Sequence, residues 1–248
     1  MKVSIITVSY NSAKTIEDTI QSVFSQAYPN IEYIVIDGGS TDGTREIIKK
    51  YEGRIEKFIS EKDGGIYDAM NKGIEVATGD IIGTLNSDDV YADERVIERV
   101  VSVMREKNSD VCWGDLVYVK ADNLNKVVRN WKSSDYAEGK FKKGWHPPHP
   151  TFFVKKEVYK KFGLFNLDFK IAADYELMLR LLEKHKARGI YIPEVLVKMR
   201  IGGASNKSLR NIVRANIESY KAWRVNGLPI HWWHVIRKPL SKLKQYVS

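Results

Sequence analysis

The 248-residue chain contains a single cysteine, Cys112, so it can form neither an internal disulfide nor a cysteine-rich zinc site. That usage fits a reducing compartment. No stretch approaches the ~18 consecutive apolar residues of a membrane-spanning helix. The N-terminal apolar run, Val3 to Val8, ends at Ser9-Tyr10-Asn11 without a small-residue cleavage site, so it reads as a buried first strand and not as a secretion signal. The first strand–helix turn carries neither Gly-x-Gly-x-x-Gly nor Gly-x-x-x-x-Gly-Lys-Ser/Thr, which counts against a dinucleotide dehydrogenase and a P-loop NTPase. Internal repeats and low-complexity segments are also lacking.

Lys and Arg total 40 against 31 Asp and Glu, a net charge of +9. A basic balance favours anionic partners, whether nucleic acid, anionic lipid or phosphorylated small molecules. Hydrophobic residues make up 43% and charged residues 29%, ordinary globular values that exclude a disordered chain and allow a sizeable core.

Residues 1–107 read as four strand–helix repeats. Strands are expected over Val3 to Val8, Ile31 to Ile36, Ile55 to Ile59 and Asp80 to Leu85. Helical stripes recur at Ile16, Ile20, Val23 and Phe24, at Ile47, Ile48 and Tyr51, at Met70, Ile74 and Ala77, and at Val96, Ile97, Val100, Val101 and Met104. Alternation of this kind implies an α/β fold, a mostly parallel central sheet with helices on both faces. Residues 108–205 are less regular. Strands are expected at Val111 to Trp113, Leu116 to Val119, Thr151 to Val154, Tyr191 and Val195 to Met199. A turn is expected at Asp122 to Asn125, helices at Lys156 to Phe162 and Ala173 to Lys184, and a long loop from Lys132 to Pro150. Residues 1–205 are taken as one domain and 206–248 as a helical, basic and aromatic extension.

Ligands of such sheets bind beyond the carboxyl ends of the strands. The polar clusters fall there: Ser9-Tyr10-Asn11, Asp37-Gly38-Gly39, the loop Glu61 to Gly65, and Ser87-Asp88-Asp89. Adjacent carboxylates can divide their work, one holding a divalent cation and the other a ribose hydroxyl; the alternative is a pair of turn aspartates. Mg²⁺ and Mn²⁺ want oxygen ligands and share them with phosphates. Asp37 can accept the imide N–H of a uracil, or simply form the turn before Gly38-Gly39, and Gly64-Gly65 allows close approach to a nucleotide.

Five segments in this order, VSIITVSYN (3–11), IDGGSTDGT (36–44), EKDGGIYDAMNKG (61–73), GDIIGTLNSDD (79–89) and AADYELMLRLL (172–182), resemble the family 2 glycosyltransferases. The resemblance covers residues 1–205 and implies the GT-A fold, a nucleotide-diphospho-sugar donor that is most often a UDP-sugar, Mn²⁺ or Mg²⁺, and inverting transfer to an acceptor hydroxyl. Residue by residue it implies that Tyr10 stacks on the base with Val8 beside it, and that Asp37 binds the base. It implies further that Asp63 and Gly65 hold the nucleoside, that Asn71 supports the neighbouring loop, that Asp88 meets ribose and metal, that Asp89 is the principal metal ligand, and that Asp174 is the catalytic base. Where many members carry Asp-Asp-Gly-Ser, this chain has Asp37-Gly38-Gly39-Ser40. It lacks the Gln-x-x-Arg-Trp of polymerising members, which implies a single addition.

Asp174 also suits the base role chemically, against the alternative of a helix-start residue stabilised by amides and the dipole. His149 and Arg200 are candidates for the diphosphate, with Lys207 behind them. Trp131, Tyr136 and Trp145 offer sugar-stacking faces or core packing. In Leu228 to Ser248, Trp232, Trp233, Ile236 and Leu240 lie among Arg237, Lys238, Lys242 and Lys244, a pattern that suits a bilayer surface and a lipid-linked saccharide acceptor; a helix packed on its own domain is the alternative. The expected location is cytoplasmic, peripheral on the inner face of the cytoplasmic membrane. The acidic clusters at the ligand edge argue against nucleic acid as a partner. A nucleotidylyltransferase would open with a glycine-rich loop where this chain has Val8-Ser9-Tyr10-Asn11, and an inactive sugar-nucleotide-binding relative would not need Asp88, Asp89 and Asp174.

Overall fold

A computed structural model of the chain describes residues 1–202 and 209–230. Strand β1 (Val3–Ser9) is buried at all seven positions, as a β-branched run covered on both faces must be. Helix α1 (Ile16–Phe24) buries Ile16, Thr19, Ile20 and Val23 at helical spacing. Strand β2 (Ile31–Asp37), helix α2 (Thr44–Lys49), strand β3 (Lys57–Ser60), helix α3 (Ile66–Val76) and strand β4 (Ile81–Asn86) complete a parallel sheet of order β3-β2-β1-β4. The register sets Ser9 beside Asp37, Asp37 beside Ser60, and Val8 beside Asn86, so four strand ends share one edge. Helix α3 lies so close to β1 that a Cβ on Gly73 would collide with Ile6.

The later strands are mixed. They are β5 (Asp89–Tyr91), then β6 (Val111–Lys120) and β7 (Asn123–Trp131) after helix α4 (Val96–Glu106), and β8 (Phe153–Lys155). Helix α5 (Lys156–Phe162) and helix α6 (Ala173–Leu179) follow, α6 running on as a π-turn over Arg180–Lys184, and strand β9 (Gly189–Arg200) and helix α7 (Leu209–Val225) end the described chain. The sheet continues β4-β8-β6-β9-β5 with β7 paired to β6; of these pairs only β6 with β9 is parallel. The run of parallel neighbours therefore stops at β4.

The sheet separates two apolar cores, so helices cover both faces as expected. One gathers Met70, Ile74, Leu177, Leu181 and Trp223 from α3, α6 with its π-turn, and α7. The other gathers Ile16, Ile20, Ile48, Val100 and Met104 from α1, α2 and α4. Helix α7 thus packs onto the preceding residues, and the boundary expected at 205 does not fall between separate cores. Residues 231–248, with the aromatic-basic segment, and Gly203 and Lys207 lie outside the described residues.

Strand β7 was not expected and takes in most of the turn expected at Asp122 to Asn125; its residues are mostly exposed, without the alternation that marks a half-buried strand. Strands β6 and β9 each run unbroken where two shorter strands were expected. A register shift between Gly114 and Asp115 bulges out Pro193 and Glu194 of β9, which is where a proline lacking its N–H is tolerated.

At the sheet edge opposite the candidate site, Glu32 is buried and accepts hydrogen bonds from Ser4 Oγ (2.5 Å), Thr78 Oγ1 (2.6 Å), the Thr78 amide (2.7 Å) and Lys2 Nζ (3.1 Å). Burial pushes the carboxyl up, but these donors outweigh it and hold the pKa at about 2, down from 4.5. A depressed carboxyl contributes stability that is present above its unfolded pKa and lost as pH falls through the folded value, here on the order of 3 kcal/mol. The stability advantage of the wild type over Glu32→Gln, followed by urea denaturation, is expected to be full near neutrality and to vanish between about pH 4.5 and pH 2.

Candidate active site

The loops leaving β1, β2 and β4 are tied to one another. Asn11, at φ 51°, donates its amide to Ser40 Oγ (2.8 Å) and accepts the Thr41 amide on Oδ1 (3.0 Å). Ser12 Oγ and Ser87 Oγ are 2.7 Å apart. Tyr10 stands at the lip, 66% exposed, free to lie against a planar ligand. Val8 is a core residue, so its expected contact with the base is corrected: its side chain faces the interior.

Asp37 is fully enclosed. Oδ1 accepts Ser9 Oγ (3.0 Å) and Ser40 Oγ (2.5 Å); Oδ2 accepts the amides of Gly39 (3.1 Å) and Ser40 (2.9 Å) and Ser60 Oγ (2.7 Å). Burial raises the carboxyl's pKa, but the serine hydroxyls and the Ser40 amide take it below the usual range. Five donors exhaust the lone pairs of a carboxylate. The expected base contact of Asp37 is therefore corrected: Asp37 organises the loop. Beside it, a Cβ on Gly38 would stand 2.6 Å from Asp63 Oδ2, so the room that a second aspartate would need is filled by the Asp63 carboxylate. Asp63 Oδ1 accepts the amide of Gly65 (2.9 Å), whose φ of +117° opens helix α3. Asp63, unlike Asp37, is left part-exposed.

Asn71 spends both ends of its amide on the Phe165 backbone, donating to the carbonyl (2.9 Å) and accepting the N–H (2.9 Å). It supports a loop as expected, that of Phe165.

The Asp88-Asp89 turn follows β4. Thr19 Oγ1 donates to the Asp89 carbonyl (2.8 Å). Arg200, only 5% exposed, donates Nη1 to the Asp88 carbonyl (2.8 Å) and Nε to the Ala121 carbonyl (3.2 Å), and its Nη2 pairs with Asp18. The expectation that Arg200 closes over a diphosphate is thus corrected, because its guanidinium is consumed beneath the acidic turn. The Asp89 carboxyl is also fully buried; Oδ2 accepts Asn86 Nδ2 (3.1 Å), and Oδ1 and Asn86 Oδ1 are buried without a hydrogen-bond partner. Burial first, and the neighbouring Asp88 charge second, push Asp89 well above the ordinary carboxylate range. Asp88 is the member of the pair that reaches solvent, whereas Asp89 keeps its orphaned Oδ1 enclosed.

A divalent cation fits this turn only as a shared ion. Two adjacent carboxyls and orphaned oxygens suit a hard cation. Among the described residues no cluster of three or more His, Cys, Asp or Glu could hold a metal by itself, so phosphate oxygens of a donor must complete the shell.

Asp174 lies in the first turn of α6. Its Oδ2 is 3.2 Å from His149 Nδ1, and its Oδ1 is 3.1 Å from the Tyr67 hydroxyl, which is also 2.7 Å from the Ile171 carbonyl. His149 and Asp174 border a small cavity of about 20 Å³, room for one water, lined otherwise by Thr84 and Tyr159 and by apolar residues that include Met70, Phe152 and Phe165. The Tyr67 hydroxyl's pKa is raised by burial and then by the Asp174 charge, which keeps it a proton donor. Tyr67 was not singled out from the sequence; its only signal was its place one turn beyond Asp63. That spacing matters, since Asp63 meets the β2 loop and Tyr67 meets Asp174, so the start of α3 joins the two halves of the site.

Trp145 packs with Trp113, Tyr136 and Phe141, and Trp131 stacks on Tyr118 and meets His146 edge-on, which is the core-packing alternative for these aromatics. His146 Nδ1 lies 3.0 Å from the Pro147 carbonyl.

The fold joins a parallel half, edged by the Asp37 and Asp88 loops, to a mixed half that carries a held carboxylate. Residues 4–163 match the model for glycosyl transferase family 2, and the chain belongs to that family. An uncharacterized glycosyltransferase of Mycobacterium tuberculosis is 36% identical over 181 residues, 72% of this chain and 68% of that protein. A putative teichuronic acid biosynthesis glycosyltransferase of Bacillus subtilis, TuaG, is 40% identical over 109 residues, 43% of each chain. Among solved structures, Staphylococcus aureus TarS (1–349) in complex with UDP-GlcNAc superposes with a TM-score of 0.67 at 17% identity, covering 99% of this chain and 72% of that one. Mannosyltransferase PcManGT of Pyrobaculum calidifontis, in complex with GDP-Man and Mn²⁺, gives 0.66 at 18%, covering 100% and 75%. The chain is a glycosyltransferase with the GT-A fold.

Proposed function

We propose that this glycosyltransferase moves one sugar from a nucleotide-diphospho-sugar to an acceptor hydroxyl with inversion, aided by Mn²⁺ or Mg²⁺, in the assembly of a bacterial polysaccharide or glycolipid. The observation that carries the reading is the Asp174 carboxylate, held from two sides by His149 and Tyr67 beside a small cavity. In a single in-line displacement the acceptor oxygen bonds to the anomeric carbon as the bond to the diphosphate breaks. Asp174 takes the acceptor's proton, a contribution of roughly 10²–10⁴-fold for a positioned base. Tyr67 has one O–H and two acceptors within reach. It can donate to Asp174 while that group is ionised, and to the Ile171 carbonyl once Asp174 carries the proton. A cation held by Asp88 would neutralise charge on the departing diphosphate. Tyr10 and Asp63 bind the base.

A UDP-sugar is the preferred donor, supported by the fold shared with TarS, whose structure holds UDP-GlcNAc. GDP-Man in PcManGT keeps a guanosine donor as the second reading. The name of TuaG supports cell-envelope polysaccharide as the pathway. Among the described residues no helix is long and apolar enough to cross a membrane, and we retain the aromatic-basic tail as a candidate contact with the inner face of the cytoplasmic membrane.

The test is a thermal-shift panel of UDP, GDP, dTDP and CMP sugars with and without Mn²⁺. A ligand at a hundredfold excess over its dissociation constant stabilises the native state by about 2.7 kcal/mol. UDP sugars are expected to give the largest shift, and only with Mn²⁺. A flat response to every nucleotide removes the proposal, and a larger shift with GDP sugars moves it to the second reading.

A further inference from the structure

Glu218 lies on α7, beyond the family-matched residues, and is buried at 6% exposure. Its carboxylate accepts three consecutive backbone amides: Lys170 (3.2 Å) on Oε1, and Ile171 (2.8 Å) and Ala172 (3.0 Å) on Oε2. These residues form the last stretch of chain before α6. Their amides would otherwise be orphaned at the approach to a helix, and a buried unpaired N–H is costly. Burial raises the carboxyl's pKa, but the amides of Ile171 and Ala172 and the Arg214 side chain take it below the ordinary range, so Glu218 is charged at neutral pH. Two more contacts from the same helix and its end reach α6: Trp223 Nε1 donates to the Tyr175 hydroxyl (2.9 Å), and Asn226 Nδ2 to Glu176 Oε1 (2.9 Å).

Ile171 is held from both sides. Its N–H goes to Glu218 and its carbonyl accepts Tyr67, whose hydroxyl also meets Asp174. Moving the 170–172 segment therefore moves both the peptide that carries Asp174 and the acceptor that sets where the Tyr67 proton points.

We infer that Glu218 is a positioning residue for Asp174, and that α7 completes the active site by fixing the 170–172 backbone in the geometry proton transfer needs. This rests on the reading of Asp174 as the base. Misplacing a reacting group by about 1 Å can cost ~10² in rate. The full-length Glu218→Gln variant keeps shape and volume but removes the charge and replaces one of the two acceptor oxygens by an NH2, so at least one of the three N–H groups loses its acceptor. It is expected to lower kcat 10- to 100-fold on the nucleotide sugar selected by the panel, with the donor KM changed less than twofold and the Mn²⁺–UDP thermal shift retained. Hydrogen exchange is expected to speed up at least tenfold at Lys170, Ile171 and Ala172 and to stay unchanged in β1. Wild-type kcat together with wild-type exchange at those amides overturns the inference; a proportional loss of UDP binding overturns it too, because Glu218 would then hold the whole fold. If Glu218→Gln does not fold, Glu218→Asp is read instead. Its carboxylate is drawn back by one methylene, and an undiminished kcat there is equally fatal. Exchange at 170–172 is read without turnover, so it separates this inference from the base assignment, which fails only if Asp174→Asn remains active.

Discussion

Asp174→Asn is expected to bind UDP and Mn²⁺ as the wild type does and to transfer sugar 10²- to 10⁴-fold more slowly. The substitution keeps size and shape, and asparagine Oδ1 can still accept from Tyr67, so the first turn of α6 should hold. What it removes is a group able to take a proton at neutral pH. A positioned base is worth that factor, equivalent to about 3–5 kcal/mol of barrier. The loss should fall on kcat, since Asp174 meets the acceptor oxygen only as it attacks. Initial rates over a range of donor and acceptor concentrations measure it, with the thermal shift as the control for binding. Transfer at the wild-type rate would falsify the base assignment and send the search to His149, which borders the same cavity.

Much of this site was legible in the sequence because its parts sit at strand ends, where composition changes sharply. The run Val3 to Ser9 followed by Tyr10-Asn11, and Ile31 to Ile36 followed by Asp37, mark both the strands and the ligand edge. Roles were less legible than positions. Asp37 and Arg200 are polar residues at the right edge, yet each is spent on partners that only the fold brings within reach. Nothing in the local sequence of Asp37 says that Ser9, Ser40 and Ser60 will converge on it from three segments. Glu218 was invisible for the same reason in sharper form, since its three partners lie 46 to 48 residues earlier in the chain. Strand β7 went unread because an edge strand facing solvent has no apolar alternation to show.

The second large effect separates the two acidic residues of the β4 turn. Asp88→Asn is expected to cancel the Mn²⁺-dependent part of the UDP thermal shift, a tenfold or greater weakening that corresponds to about 1.4 kcal/mol, with little change in the stability of the unliganded protein. Asp88 reaches solvent and its backbone carbonyl is already fixed by Arg200, so the amide should be tolerated in place while the ligand charge is lost. Asp89→Ala should do the reverse first. It removes a fully buried acceptor, strands Asn86 Nδ2 and opens a gap beneath the turn, for which about 1–3 kcal/mol of folding stability is the expected cost. Its effect on metal should follow from the loosened turn and be smaller at low temperature, where the variant is fully folded. Denaturant unfolding of the unliganded variants gives the first quantity, and Mn²⁺ titration in the presence of UDP gives the second. If Asp89→Ala proves as stable as the wild type and yet loses all metal dependence, Asp89 is the ligand after all, and the turn must open to expose it when the donor binds.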